Sequence, residues 1–391
     1  MSLILTRSPY FVNRGFLDED ATVKLEIGIY SGEEGLEVVE TYALSFRNGY
    51  SIDISPLLND YLGRSHTIVN GIYIFSISIL KYLRITISGS LNGVAQSDSI
   101  SEHHFTNGYL YSTDEYNFDF SSELRSIGYY TGSTNTVYRL INSDLRLRFL
   151  ATDVVLTDNP NLENFRVLYY SKSELVYQEV SSIEYDNNIS TQYFSSNFGR
   201  LDFEKRVLDS AGVYEENKCI DNFIEDFIKI EIDRVDIYLE DEFKKSIKVK
   251  IIDECKYKPY RVTFMNRYGV EEDLWFFKRS DIDINIKKEE FRGNSLYSYS
   301  SGDGVKTMNH FNVNGYEKVT LNSGFVEEEM NEAFKQLLLS EEVTLYDYKE
   351  KKTYNVNLGT SELQYKQHVN DKLINYTIEF EFAYEVINNV G

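Results

Sequence analysis

Few side chains in this sequence stand at spacings that chemistry would need. Asp281, Asp283 and Asn285 alternate as the first ligands of a calcium loop do, where oxygens at the first, third and fifth positions converge on one cation. The sixth position, which must turn sharply, is Ile286 instead of Gly, and the twelfth is Arg292 instead of Glu. A solvated strand face accounts for the run better. Gly302-Asp303-Gly304-Val305-Lys306-Thr307 ends like a phosphate-cradling loop, yet its glycine spacing is wrong, and a flexible turn is the expectation. Glu102-His103-His104 groups three ligand types in what reads as a polar surface loop, and a metal would need further ligands that the sequence does not mark. No Gly-x-Ser-x-Gly elbow and no Cys–His arrangement is legible. Carboxylates are so abundant that pairs at glycosidase-like separations arise by chance, so their number is no evidence for hydrolysis. The expectation is a chain with no catalytic residue, no metal and no cofactor.

The elements that would position any such group read mostly as strands. Residues 257–280 are the most informative. Tyr260–Met265 and Leu274–Lys278 are β-type runs flanking a polar connection with a glycine, the pattern of an antiparallel hairpin. Pro259 lacks an N–H and belongs at the strand entrance. Asn266 and Gly269 tolerate positive φ where the chain reverses, with Tyr268 between them. Trp275, the only tryptophan, stands beside Phe276 and Phe277, so both faces of that strand should be covered. One cover would be the core and the other a neighbouring domain or subunit. These seven residues and Tyr260 are the eight candidates for a structural or interface role.

Elsewhere Val23–Ile29 alternates as a half-buried strand. Thr41–Phe46 and Tyr50–Ile54, joined through Asn48-Gly49, predict a second hairpin. Ser55, Pro56 and Gly63 mark the cap, first turn and stop of a short helix. Residues 89–136 show weak periodicity and read as long surface excursions, or as a segment that pairs with something outside the monomer. Strands are expected again at 142–153, 165–170, 235–239 and 246–252, while 218–240 is readable as helix or strand. Val326, Met330, Ala333, Phe334, Leu337 and Leu338 predict a helix over 325–339 capped by Ser323. Val343–Tyr346, Thr353–Leu358 and Leu373–Val386 close the chain as strands, the last alternating cleanly. The fold class expected is mainly β: a sandwich-like domain over 1–140, a second β-rich domain over 141–255, and a hairpin–helix–sheet or small-barrel domain over 256–391.

Composition bounds the function. Forty Lys and Arg against 62 Asp and Glu give a net charge of −22, which repels phosphate backbones and anionic membranes. With 32 Tyr and 24 Phe the chain must fold. The tyrosines suit protein interfaces, sugar-binding grooves or plain sheet filling. Cys219 and Cys255 read as reduced, partly buried thiols of a protein folded in a cytoplasm, with a disulfide between them as the alternative. The N-terminal residues do not read as a signal peptide, and no run of about 18 apolar residues spans a membrane.

Three groups of residues resemble a known family. Thr6-Arg-Ser-Pro-Tyr10 with Ile52-Asp-Ile-Ser-Pro-Leu-Leu-Asn-Asp-Tyr61 is the first, and Cys255–Tyr260 with Phe264–Gly269 and Asp273–Lys278 is the second. Leu337–Val343 with Val369–Phe382 is the third. Together they resemble tail- and neck-associated ring proteins of crAss-like phages that infect Bacteroidetes. The resemblance implies a virion subunit of β-domains, assembled with copies of itself and with other tail or neck proteins, and it implies no catalytic residues. An acidic ring lumen would let DNA pass without sticking. The competing class is a tail-fibre or adhesin module gripping a surface glycan through Tyr-rich loops at 103–135; a third is a polysaccharide-degrading enzyme.

Overall fold

The computed structural model describes residues 2–13, 22–30, 36–45, 51–62, 68–69, 72–73, 81–118, 120–128, 130–141, 143, 145–150, 164–182, 193–198, 207–208, 214–215, 232–239, 241–292, 308–362, 364 and 373–387. It is mainly β, with several separate sheets and, among the described residues, no closed barrel. Two compact units result: Met1–Asp253 with Met265–Asp273, and Glu254–Phe264 with Leu274–Gly391.

Alternation builds the first sheet of the larger unit. Its strands are β1 (Ser2–Leu5), β2 (Thr22–Tyr30), β3 (Leu36–Ser45), β4 (Lys81–Ser88) and β5 (Ser99–Thr106), in the order β1-β5-β4-β2-β3. Val23, Leu25 and Ile27 are buried while Thr22 and Lys24 are exposed, as period two requires. β1 shows that period most clearly. Ile4 joins the core of Val23, Leu25, Leu83 and Phe105, whereas Leu3 and Leu5 join the core of the second sheet. That second sheet contains β6 (Thr136–Leu140), β7 (Asn164–Ser171), β8 (Glu174–Ser182), β9 (Arg234–Leu239) and β10 (Glu242–Ile252), in the order β6-β10-β9-β7-β8. β6, which lies on the first-domain side of the expected 140/141 division, is therefore an edge of the second sheet.

Three expectations fail in this unit for identifiable reasons. Thr41–Phe46 and Tyr50–Ile54 do not pair with each other: β3 pairs with β2, and Ser51–Asp53 pairs with Phe11–Asn13. Tertiary partners override the Asn-Gly signal, which itself lies outside the described residues. The stretch 89–136 is no mere excursion, because β5 runs between β1 and β4. Its Ser, Glu and His residues hide a strand that burial on both sides sustains. The helix α1 (Ser55–Asn59) forms behind Pro56, but Ser55 is not its cap. Asp53 Oδ1 accepts from Ser55 N, Ser55 Oγ and Tyr10 N at 3.1, 2.8 and 3.0 Å instead. A second short helix, α2 (Ser121–Ser126), buries Leu124.

The smaller unit is built on a seven-stranded sheet. Its strands are β11 (Tyr260–Met265), β12 (Glu271–Phe276), β13 (Asp281–Arg292), β14 (Met308–Asn322), β15 (Val343–Asp347), β16 (Lys352–Leu358) and β17 (Thr377–Glu385), in the order β12-β11-β15-β16-β17-β14-β13. β12 and β13 are its two edges, yet only residues 277–280 separate them. Flat, six steps of strand spacing would hold the edges about 29 Å apart, while five residue steps reach roughly 18 Å at most. The sheet must curl. Its curvature is visible in Phe276 of β12, whose ring lies 5.7 Å from Phe380 of β17, and in Lys278 N donating to Asn322 O at 3.2 Å.

The helix α3 (Asn331–Leu338) plugs the curl, with Phe334 centred 6.1 Å from Phe276 and 4.8 Å from Tyr376. It begins later than its apolar spacing suggests. Val326–Glu327 pairs with Leu373–Ile374, and Glu328–Met330 is a 3-10 turn. Ser323 is not its cap, since Ser323 Oγ accepts from Tyr376 N at 2.9 Å. The expected strand Leu373–Val386 is split: Leu373–Ile374 pairs with Val326–Glu327, and Thr377–Glu385 keeps the predicted alternation with Ile378, Phe380 and Phe382 on its buried face.

Candidate functional site

The eight candidate residues lie on the β11–β12 hairpin or on the residue flanking it at either end, and the structure sorts them into a tip and a stem. The tip belongs to the larger unit and the stem to the smaller. Asn266 organises the tip. Its backbone N–H donates to Val270 O at 2.8 Å and its carbonyl accepts from Gly269 N at 2.9 Å. Its Oδ1 accepts from Tyr268 N and Val270 N at 3.0 and 3.2 Å. Its Nδ2 donates to Thr131 O and to Glu272 Oε2 at 2.9 and 3.2 Å. A fully buried amide is thus satisfied on both ends, the condition under which burial does not cost stability.

Gly269 is fixed twice over. Its φ is +72°, in the left-handed region, and an added Cβ would fall 2.8 Å from the carbonyl carbon of Asn107. The approach is mutual, because a Cβ on Gly108 would fall 2.5 Å from Arg267 O. The loop after β5 and the tip therefore meet backbone to backbone. Tyr109 N donates to Arg267 O at 2.9 Å, and Thr106 Oγ1 donates to Tyr268 O at 2.9 Å.

Side chains complete the seat. Arg267 pairs with Asp114 at 2.9 Å and holds its guanidinium 4.8 Å from the Phe120 ring and 5.0 Å from Tyr111. Tyr268 packs edge-on to Phe120, and burial, reinforced by the Glu123 carboxylate, pushes its phenol up to about 12. Glu272 accepts from Ser133 N at 3.1 Å, from Ser133 Oγ at 2.6 Å and from Asn266 Nδ2. Burial raises its carboxyl above the ordinary range, and those hydrogen bonds only partly oppose it.

The stem is aromatic. Pro259 stands immediately before β11, as its missing N–H requires, and Tyr260 is buried behind it. Lys258 reaches both Asp347 and Glu350. Burial pulls its ammonium down, but hydrogen bonds to those carboxylates outweigh that and leave it above the ordinary lysine value. Phe276 points into the curl. Trp275, only 6% exposed, takes the other face, edge-on to Tyr348 at 5.9 Å and under the Arg261 guanidinium at 5.8 Å. Arg261 also lies 4.8 Å from Tyr346. Both faces of the tryptophan strand are covered, as expected, and the named covers come from its own unit. Phe277 is buried with the Lys278 ammonium 5.4 Å from its ring.

Other candidates resolve quickly. His103 and His104 are adjacent on β5, so their side chains leave opposite faces and cannot converge on one ion. Both are buried, and His103 Nε2 bonds Ser101 Oγ at 2.9 Å. Among the described residues no group of three or more His, Cys, Asp or Glu could hold a metal. Cys255 is an exposed free thiol, not a partly buried one; Cys219 and the loop 302–307 lie outside the described residues. A shallow cavity of about 290 Å³ between Tyr257, Lys278, Arg279 and Thr377 is at the lower limit for small-molecule sites. Glu254 holds its lysine at 2.6 Å and Asp281 its arginine at 2.8 Å.

The feature that sequence reasoning saw only as a solvated face is the β13–β14 arm. All twelve residues of β13 are exposed, and Ile282, Ile284 and Ile286 are 57%, 58% and 63% exposed on one face. Phe291 and Phe311 stack edge-on at 5.6 Å, both also exposed. Among the described residues no helix is long and apolar enough to cross a membrane. No protein-family model matches the chain, and no match was found among curated proteins.

Proposed function

We propose that this chain is a non-enzymatic structural component of a bacteriophage virion, which assembles with copies of itself into a ring in the neck or tail and bridges adjacent tail proteins. The observation that carries this reading is the β13–β14 arm. An edge strand of twelve exposed residues bearing three exposed isoleucines is a surface suited to a protein partner. The sequence blocks that resemble phage ring proteins support it. Two of them come together in the fold, where Ile54 N donates to Tyr10 O at 3.0 Å and Thr6 Oγ1 to Asn59 Oδ1 at 3.3 Å. Such a subunit is made in the host cytoplasm and resides in the particle. Light scattering on the purified chain should give a mass several times that of one copy, and mass spectrometry of intact particles should find it. A monomer absent from particles overturns the proposal.

The adhesin reading needs exposed aromatic rings in the 103–135 segment. Among the described residues Tyr109 and Tyr130 are buried and Tyr111 is half-buried, while Tyr116, 70% exposed, stands two residues from an exposed Phe118. Strong, Tyr116-dependent signals on a glycan array would favour that reading over assembly.

A further inference from the structure

We propose that β13 is the seat of a two-fold, antiparallel contact with a second copy of this chain, centred on Ile284. β13 is the last strand of its sheet, so among the described residues its outward N–H and C=O groups have no strand beyond them. Proteins usually protect such an edge with charge, a bulge or a cover. Here a register shift between Lys287 and Glu289 ends the regular strand, leaving Asp281–Lys287 as the flat stretch.

That stretch is complementary to itself in one register. Two copies laid antiparallel about Ile284 set Asp281 against Lys287, Ile282 against Ile286, Asp283 against Asn285 and Ile284 against its own equivalent. Each pair except the central one occurs twice, as a two-fold axis demands. Opposite charges and β-branched pairs are the combinations that stabilise directly opposed positions. Alternative registers do worse. Centring on Asp283 opposes two aspartates, and centring on Asn285 overlaps only Asp283–Lys287 of the flat stretch and leaves Ile282 with no isoleucine opposite. A centre between residues opposes isoleucines to polar side chains and turns them onto different faces. Charge, isoleucine pairing and the length of the flat overlap together select one register.

The pairing groups remain reachable in the single chain. Asp281 meets Arg279 at 2.8 Å but keeps 55% of its side chain exposed, and the Lys287 ammonium rests 4.9 Å from the Tyr316 ring on the neighbouring strand. The contact also places six isoleucines side by side on one face, against three in a lone chain. It does not rest on the virion reading: a two-fold contact closes at two copies, whereas head-to-tail contacts close as rings.

Charge reversal tests it. Asp281→Lys and Lys287→Asp each oppose like charges twice, and either should weaken self-association of the full chain at least tenfold by sedimentation. The double variant restores opposite charges and should restore association. Because these side chains are exposed, melting temperatures should stay within a degree or two of the parent. In a chain with Cys219 and Cys255 replaced by serine, Ile284→Cys should form a disulfide-linked dimer on mild oxidation, and Asp283→Cys should not. Association that ignores all three charge variants, or a linked dimer formed equally well from position 283, overturns the proposal. So does a chain that stays monomeric at every concentration. Rings that persist unchanged in the charge variants overturn the two-fold contact while leaving the ring reading intact.

Discussion

Two hairpins adjoin in sequence and share one alternating pattern, yet the fold treats them oppositely. β11–β12 is largely buried: every residue of β11 is buried, Trp275 and Phe276 cover its two faces, and Asn266 and Gly269 are buried at the tip, held within the larger unit. β13 carries Ile282, Ile284 and Ile286 at the same spacing, and all of them face solvent. Period two says that one face differs from the other. It does not say which face meets a core, because that depends on whether another layer of the same chain lies over it. The first hairpin has α3 and the curl of the sheet above it. In the second, β13 has none among the described residues, although Val319 and Leu321 of β14 are buried. The difference separates residues that hold the fold from residues free to hold a partner.

Truncating the buried hairpin should have the largest effect. Phe276→Ala removes the ring that meets Phe334 and Phe380, and Trp275→Ala the one beneath Arg261. Each should cost about 3–5 kcal/mol, read as a fall in denaturant midpoint. An unchanged melting temperature and unchanged assembly for Trp275→Ala would make that residue peripheral. Gly269→Ala comes next. The left-handed backbone alone costs about 1–2 kcal/mol, and the collision with Asn107 adds to it. A variant as stable as the parent would show that the tip is not seated as described.

Asn266→Ala should cost about 1–3 kcal/mol, since it strips buried groups of their partners. Amide exchange at Val270 should accelerate with it, and exchange as slow as in the parent would break the link. Glu272 gives a pH signature. A carboxyl raised on folding favours its protonated form, so its contribution is complete below the ordinary value of 4.5 and is lost as pH rises through the raised one. Relative to Glu272→Gln, the parent should therefore lose stability as pH climbs from 4.5; a pH-independent gap between the two would show that burial does not govern this group. Smallest of all, Ile284→Thr should change monomer stability by about 0.5 kcal/mol or less. A large loss would mean that β13 belongs to the core, and the contrast between the hairpins would fail.

Much of the strand content was legible. Tyr260–Met265 lies where β-type residues run unbroken after Pro259, and Ile378, Phe380 and Phe382 face inward as their alternation says. Less legible were elements whose signal is diluted. β5 was hidden because Ser101, Glu102, His103 and His104 are poor strand markers, and it is pairing with β4, joined from His103 on by β1, that makes them a strand. The helix over 325–339 was read too long because Val326 fits a helical stripe and a strand equally well, and pairing with Ile374 chose the strand. In the hairpin, Asn266 and Gly269 advertised a reversal. Glu272 and Ser133 carry no local signal, since their meeting joins residues 139 positions apart.

The sequence by itself determined that this chain is built of strands, that a reversal falls at Asn266–Gly269, and that its aromatic triplet must be covered on both sides. These follow from local sterics and from the period of side chains along a strand, which need no knowledge of distant residues. Only the tertiary structure decided which strands pair, which covers the triplet receives and which isoleucines stay in solvent. Burial is a property of what lies across the gap, and four residues between the two edges of a seven-stranded sheet bend that gap closed over Phe276 while leaving β13 outside.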